Sequence, residues 1–140
     1  MIRSIRLQGL RNLVAQRVDL AADLVLVTGA NAQGKSSFLE AAYLLATTRS
    51  FRARERQELI NHEADIAVVS GRVDRASSDG SSGTVEMAIE LARGRGSRRL
   101  RVGEYESELA VYLSYQPALV MTGESTRRIA GSSSERRRYM

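Results

Sequence analysis

Residues 23–37, DLVLVTGANAQGKSS, decide how this chain is read. Leu24 to Thr28 form an unbroken apolar run, the pattern expected of a β-strand buried on both faces. Gly29 to Ser36 then satisfy G-x-x-x-x-G-K-[ST] at every fixed position. In the following SSFLEAAYLLAT, residues 36–47, Phe38, Leu39, Ala42, Tyr43, Leu45 and Ala46 recur at helical spacing. Strand, glycine loop and helix in that order aim backbone N–H groups and a helix N-terminus at an anion. The two glycines let the backbone approach oxygen atoms that a Cβ would block. The expected site is therefore Gly29, Ala30, Asn31, Ala32, Gln33, Gly34, Lys35, Ser36 and Ser37, with ATP and Mg²⁺ as cofactors. Lys35 is placed to reach the β- and γ-phosphates, the Ser36 hydroxyl to bind Mg²⁺, and Ser37 to meet the α-phosphate. The plainer alternative is a glycine turn that only joins strand to helix.

The bulk composition bounds the rest. A chain of 140 residues fits one modest domain with a real core. There is no cysteine, which excludes disulfide and thiolate-metal frameworks and makes the reducing cytoplasm the expected compartment. The lone His62 reads as a surface residue, and no apolar stretch is long enough to span a membrane. The net charge of +5 suggests an anionic partner such as nucleic acid, although many soluble domains carry as much. Of 21 basic residues, the single lysine is Lys35, inside the glycine loop. A compact, flexible ammonium has been kept where phosphates must be reached.

Outward from the loop, IRSIRLQGL alternates Ile5 and Leu7 with polar residues, a half-buried strand. Arg11-Asn12 reads as a turn, and AQRVDL, residues 15–20, as a second short strand. Residues 48–59 are charged, a loop and then a short helix. DIAVVSGRVD (65–74) and TVEMAIELAR (84–93) read as strands, joined by a flexible loop over 75–83. RRLRVG (98–103) completes a hairpin, and ELAVYLSYQ (108–116) reads as an apolar strand stopped by Pro117. A hairpin before the loop, one helix, then mostly antiparallel strands point to an α/β P-loop NTPase of the ABC type with a mixed sheet. A small P-loop kinase would alternate strand and helix.

GANAQGKSSFLEAAYLLATTRSFR also closely resembles the phosphate loop and first helix of the RecF family of bacterial recombination-repair ATPases. LQGLRNL is similar to that family's first strand and Arg-Asn turn. YQPALVMTGESTRRIAGSSSERRRYM resembles a later family segment leading into R-R-R-[FY]-L-D. Ala32, Ser36 and Ser37 stand where the family has Gly, Thr and Asn, and QPAL lacks the acidic pair of P-E-D-L, so the chain reads as a divergent RecF-like head. The resemblance implies an SMC/ABC-type head in which two copies sandwich ATP. It implies Arg11 and Asn12 beside the base or α-phosphate, against the alternative of a solvated turn. It places Gln116 near the loop that senses Mg²⁺ and the γ-phosphate, against a polar residue at a strand end. The implied partners are a second copy in an ATP-dependent homodimer, double-stranded (gapped) DNA, and RecO- and RecR-like recombination mediators. The implied setting is DNA replication, repair and the SOS response in a bacterial cytoplasm, associated with the nucleoid.

Hydrolysis on this fold needs an apolar strand ending in Asp with an acidic neighbour. Asp19, Asp23, Asp65 and Asp74 all fail that pattern. Ser132 and Glu135 have capping-box spacing, but few residues follow them to form a helix. Arg136 to Arg138 are then a basic cluster for DNA phosphate, for a second lobe, or for a solvated end. The expectation is an ATP-binding lobe over 1–140 whose second lobe is incomplete, ending before a signature motif and a Walker B strand. Such a chain binds ATP without turnover. The alternatives are a non-catalytic nucleotide- or DNA-binding module and a small kinase.

Overall fold

The computed structural model describes residues 1–20, 22–76, 82–94 and 98–122. Its frame is a six-stranded sheet in the order β2-β1-β3-β4-β5-β6. The strands are β1 (Ile2–Gln8), β2 (Gln16–Asp19), β3 (Ile66–Ala76), β4 (Ser82–Ala92), β5 (Arg98–Val102) and β6 (Tyr105–Glu106). Every ladder is antiparallel. The phosphate-loop helix α1 (Lys35–Thr47) is flanked in sequence by strands on both sides, as expected.

Period-two alternation is what makes the long strands. In β3, Ala67, Val69 and Val73 are buried; in β4, Met87, Ile89 and Leu91 are. These side chains meet Ala41, Leu44 and Leu45 of α1 together with Ile5 and Leu7 of β1 in one core. Gly71 lets helix and sheet come this close. A Cβ there would lie 2.4 Å from the Ser4 carbonyl oxygen and 2.8 Å from Leu45 Cδ2.

Three expectations are corrected. Residues 24–28 form no strand. Leu24 is 87% and Leu26 83% exposed. An apolar run becomes a strand only where a neighbour accepts from its N–H groups and donates to its carbonyls, and among the described residues none does so. ELAVYLSYQ is not a strand either; it forms the short helix α2 (Leu109–Leu113). Its apolar residues suit either period, and Tyr112 decides. That side chain is fully buried, and its hydroxyl donates to the Leu45 carbonyl at 2.8 Å. The loop expected over 75–83 is shorter, because Arg75 pairs with Gly83 and Ala76 with Ser82 in the β3–β4 ladder. Its centre lies outside the described residues, as do Ser132, Glu135 and Arg136 to Arg138.

The expected short helix in 48–59 is a 3₁₀ turn, Arg56–Leu59, whose N-terminus is closed by reciprocal bonds of Glu55 and Glu58. Strand β6, two residues long, carried no signal in the sequence.

Candidate nucleotide-binding loop

The loop is built by backbone angles that few residues accept. Gly29 has φ 146°, Gly34 has φ 91°, and between them Ala32 has φ 65°. A Cβ on Gly34 would fall 2.6 Å from Leu13 Cδ2, the end of a side chain that can swing aside, so it is the backbone angle that calls for glycine there. Ala32 keeps the left-handed turn that its side chain opposes. The Gln33 amide oxygen accepts from the Ala30 N–H at 3.0 Å and closes the loop from inside.

Gly34 is the N-cap of α1, and it offers no side chain to the first turn. Nor does that turn contain an acidic residue. The opening N–H groups of a helix have no intrahelical partner, and their dipoles sum to about half a positive charge. This end of α1 is therefore an anion site by default. It faces a cavity of about 380 Å³ lined by Asn12, Asn31, Ala32, Gly34, Lys35, Ser36, Ser37 and Arg52. Lys35 Nζ folds back onto the carbonyls of Gly29 (2.8 Å) and Ala30 (2.6 Å). Both contacts are exposed, so the ammonium is free to exchange carbonyl oxygens for phosphate oxygens.

Asn12 joins the β1–β2 turn to this loop. Its amide donates to the Ala32 carbonyl at 3.4 Å, and its Oδ1 accepts from the Ser37 hydroxyl at 3.4 Å. Arg11 faces elsewhere. Its guanidinium grips Glu40 with two bonds of 3.0 Å, and Glu40 is fully buried. The Ser50 hydroxyl also donates to Glu40, and Arg52 Nη1 stands 3.9 Å from it. Asn61 donates to the Arg11 carbonyl, which fixes a backbone at φ 52°. Of the two residues singled out at the turn, Asn12 lines the cavity and Arg11 anchors the helix beneath it.

Gln116 lies beyond α2 and is not among the residues lining that cavity; its amide donates weakly to the Pro117 carbonyl at 3.4 Å. Its neighbour Tyr115 stacks under the Arg75 guanidinium, 5.4 Å away. Two participants escaped the sequence reading. Glu40 sits on the buried stripe of α1 with Ser37, Ala41, Leu44 and Leu45, and a carboxylate at an apolar position was the available signal. Arg52 reaches the cavity from the segment after α1.

Over nearly its whole length the chain is similar to known proteins. The chain is 33% identical over 140 residues to the DNA replication and repair protein RecF of Lactococcus lactis subsp. cremoris, covering 99% of this chain and 37% of that protein. With the RecF of Streptococcus agalactiae serotype Ia it shares 31% over 140 residues. A solved structure of the recombination mediator protein RecF-ATP in the RecFOR pathway superposes with a TM-score of 0.80 at 27% identity, over 99% of this chain and 36% of that one. The chain is RecF-like. A second structure, of RecF-ATPrS, gives a TM-score of 0.81 at 26% identity. No family model matches the sequence. The RecF-like chain spans just over a third of the length of the relatives it matches.

Among the described residues, no helix is long and apolar enough to cross a membrane.

Proposed function

We propose that residues 1–140 are the N-terminal ATP-binding lobe of a RecF-like head in DNA replication and recombinational repair. The observation that carries this is the uncapped, acid-free start of α1, opening onto a cavity with Lys35, Ser36 and Ser37 at its wall. An anion would satisfy the free N–H groups of that helix end. The match to a structure named RecF-ATP supports ATP as the anion.

In this reading Lys35 releases Gly29 and Ala30 to meet the β- and γ-phosphates, while backbone N–H groups of the loop hold the oxygens. The Ser36 hydroxyl would hold Mg²⁺, whose charge would offset that of the phosphates. Asn12 keeps the left-handed turn at Ala32 in place, and Arg52 adds a second cation. Arg11 serves the site by fixing Glu40, and through it the start of α1. Gln116 belongs to the site only through the family resemblance. ATP binding drives pairing of two heads on double-stranded, gapped DNA, with RecO- and RecR-like mediators as partners. The lobe alone holds ATP without hydrolysing it. Asp74, at the end of the apolar part of β3, is occupied by Arg3 at 2.7 Å, and Asp19 by Arg17 at 2.9 Å.

The test is the affinity of the purified chain for ATP-Mg with and without Lys35→Ala. Loss of a charged hydrogen-bonding partner is expected to weaken binding about tenfold or more. Unchanged affinity would sink the assignment, and hydrolysis abolished by Lys35→Ala would restore the kinase reading.

A further inference from the structure

Near the opposite end of α1 from the glycine loop lies a cavity of about 500 Å³ bordered by Arg49, Arg54, Arg56 and Arg98, with Thr48 and Glu55 among its other walls. Among the described residues none of these four arginines makes an ion pair. Arg98 is half-buried, and its Nη1 donates to the Thr48 hydroxyl at 3.0 Å, a neutral partner. Burial first, and the Arg56 charge second, push the Arg98 guanidinium below its ordinary pKa. Two cations are thus held close enough to repel.

The carbonyl end of α1 does not account for them. A helix C-terminus offers roughly half a negative charge. Glu55 contributes one more, and its side chain is already engaged in the turn's reciprocal cap. Four guanidiniums therefore exceed the negative charge of the cavity's own walls, where Glu55 is the one carboxylate among the described residues. Such a cluster, with Arg98 half-buried at its base and the other three exposed, is stabilised by a multivalent anion, and guanidinium forks match phosphate oxygens in pairs.

We infer that this cavity is a second phosphate-binding site, separate from the glycine loop, that takes the phosphate groups of a nucleic-acid backbone or of a free polyphosphate. The site is independent of ATP at the loop, and its nucleic-acid source rests on the DNA-binding reading above. Arg98, fixed by Thr48, forms its floor. Arg49, Arg54 and Arg56 are exposed and close over the ligand from the rim.

Two measurements test it on the 140-residue chain. One is anisotropy of a labelled 20-base-pair duplex across a salt series. The other is calorimetric titration with inorganic pyrophosphate in the Lys35→Ala background, where the glycine loop does not compete. Each is made on the R54Q/R56Q variant and on an R72Q/R101Q control that removes the same charge from exposed strand positions. Circular dichroism confirms that both variants keep the fold. If the duplex is the ligand, R54Q/R56Q weakens it about tenfold or more and lowers the salt slope by about two, with the control within about twofold. If a free polyphosphate is the ligand, the same contrast is seen with pyrophosphate alone. Equal weakening by both variants, no weakening by R54Q/R56Q, or no binding in either arm overturns the site. A pyrophosphate contrast without any duplex binding keeps the cavity and removes DNA from the proposed function.

Discussion

Ala32 turns left-handed inside the phosphate loop, where a Cβ costs roughly 1–2 kcal/mol. Ala32→Gly removes that strain but loosens the unfolded chain, so a net gain of about 0.5–1 kcal/mol is expected in urea unfolding. Arg11→Ala should act in the other direction. It strips the buried Glu40 carboxylate of its paired donors, leaving the Ser50 hydroxyl and a distant Arg52, and a loss of about 3 kcal/mol is expected by the same measurement. A variant of ordinary stability with weak ATP binding would instead return Arg11 to the nucleotide. The turn positions of the loop were legible in the sequence because Gly29 and Gly34 adopt backbone angles that glycine accepts and other residues rarely do. The Glu40 cluster was not, because a carboxylate in an apolar stripe names no partner. Arg11 and Ser50 lie 29 and 10 residues from it in the chain.

Helix α2 shows how one side chain settles an element. Its five residues are too few to hold a helix by propensity, so the anchor is Tyr112 with its bond to the Leu45 carbonyl. Burial raises the Tyr112 pKa well above its ordinary value of 10.0. The neutral phenol therefore favours the fold fully below pH 10, and that contribution is lost as pH rises beyond it, because the unfolded chain ionises first. Tyr112→Phe should cost about 1–2 kcal/mol at pH 8, with a shallower loss between pH 8 and pH 11, as measured by denaturant midpoints at the two pH values. The strands whose apolar residues alternate, β1 to β5, were readable because alternation has one meaning when one face is wet. The continuous run at 24–28 was misread for the opposite reason. It carries no face information, and whether it becomes a strand depends on groups elsewhere in space.

For the whole molecule, that segment is an exposed apolar ridge. Leu24 and Leu26 stand out from the surface, and Val25, Leu26, Val27 and Thr28 border an open groove with Leu13, Val18, Leu20 and Phe38. Surface of this kind favours association. Leu24→Asp with Leu26→Asp should leave stability within about 0.5 kcal/mol of the parent and reduce self-association in sedimentation velocity. A loss of several kcal/mol would show that the ridge packs into the fold.

The ladder between β1 and β3 has a consequence for the order in which the molecule assembles. Strands β3 to β6 follow one another as a meander, so their contacts close short loops. By contrast, Gln8 finds its partner in Val68, sixty residues further along, and the whole phosphate loop and α1 lie inside that span. Closing so long a segment costs chain entropy before any contact rewards it. The meander is thus expected to form first. The glycine loop is then expected to take its final shape only once β1 docks, as part of the late-forming, readily reopened portion of the molecule, which hydrogen exchange of its amides would show.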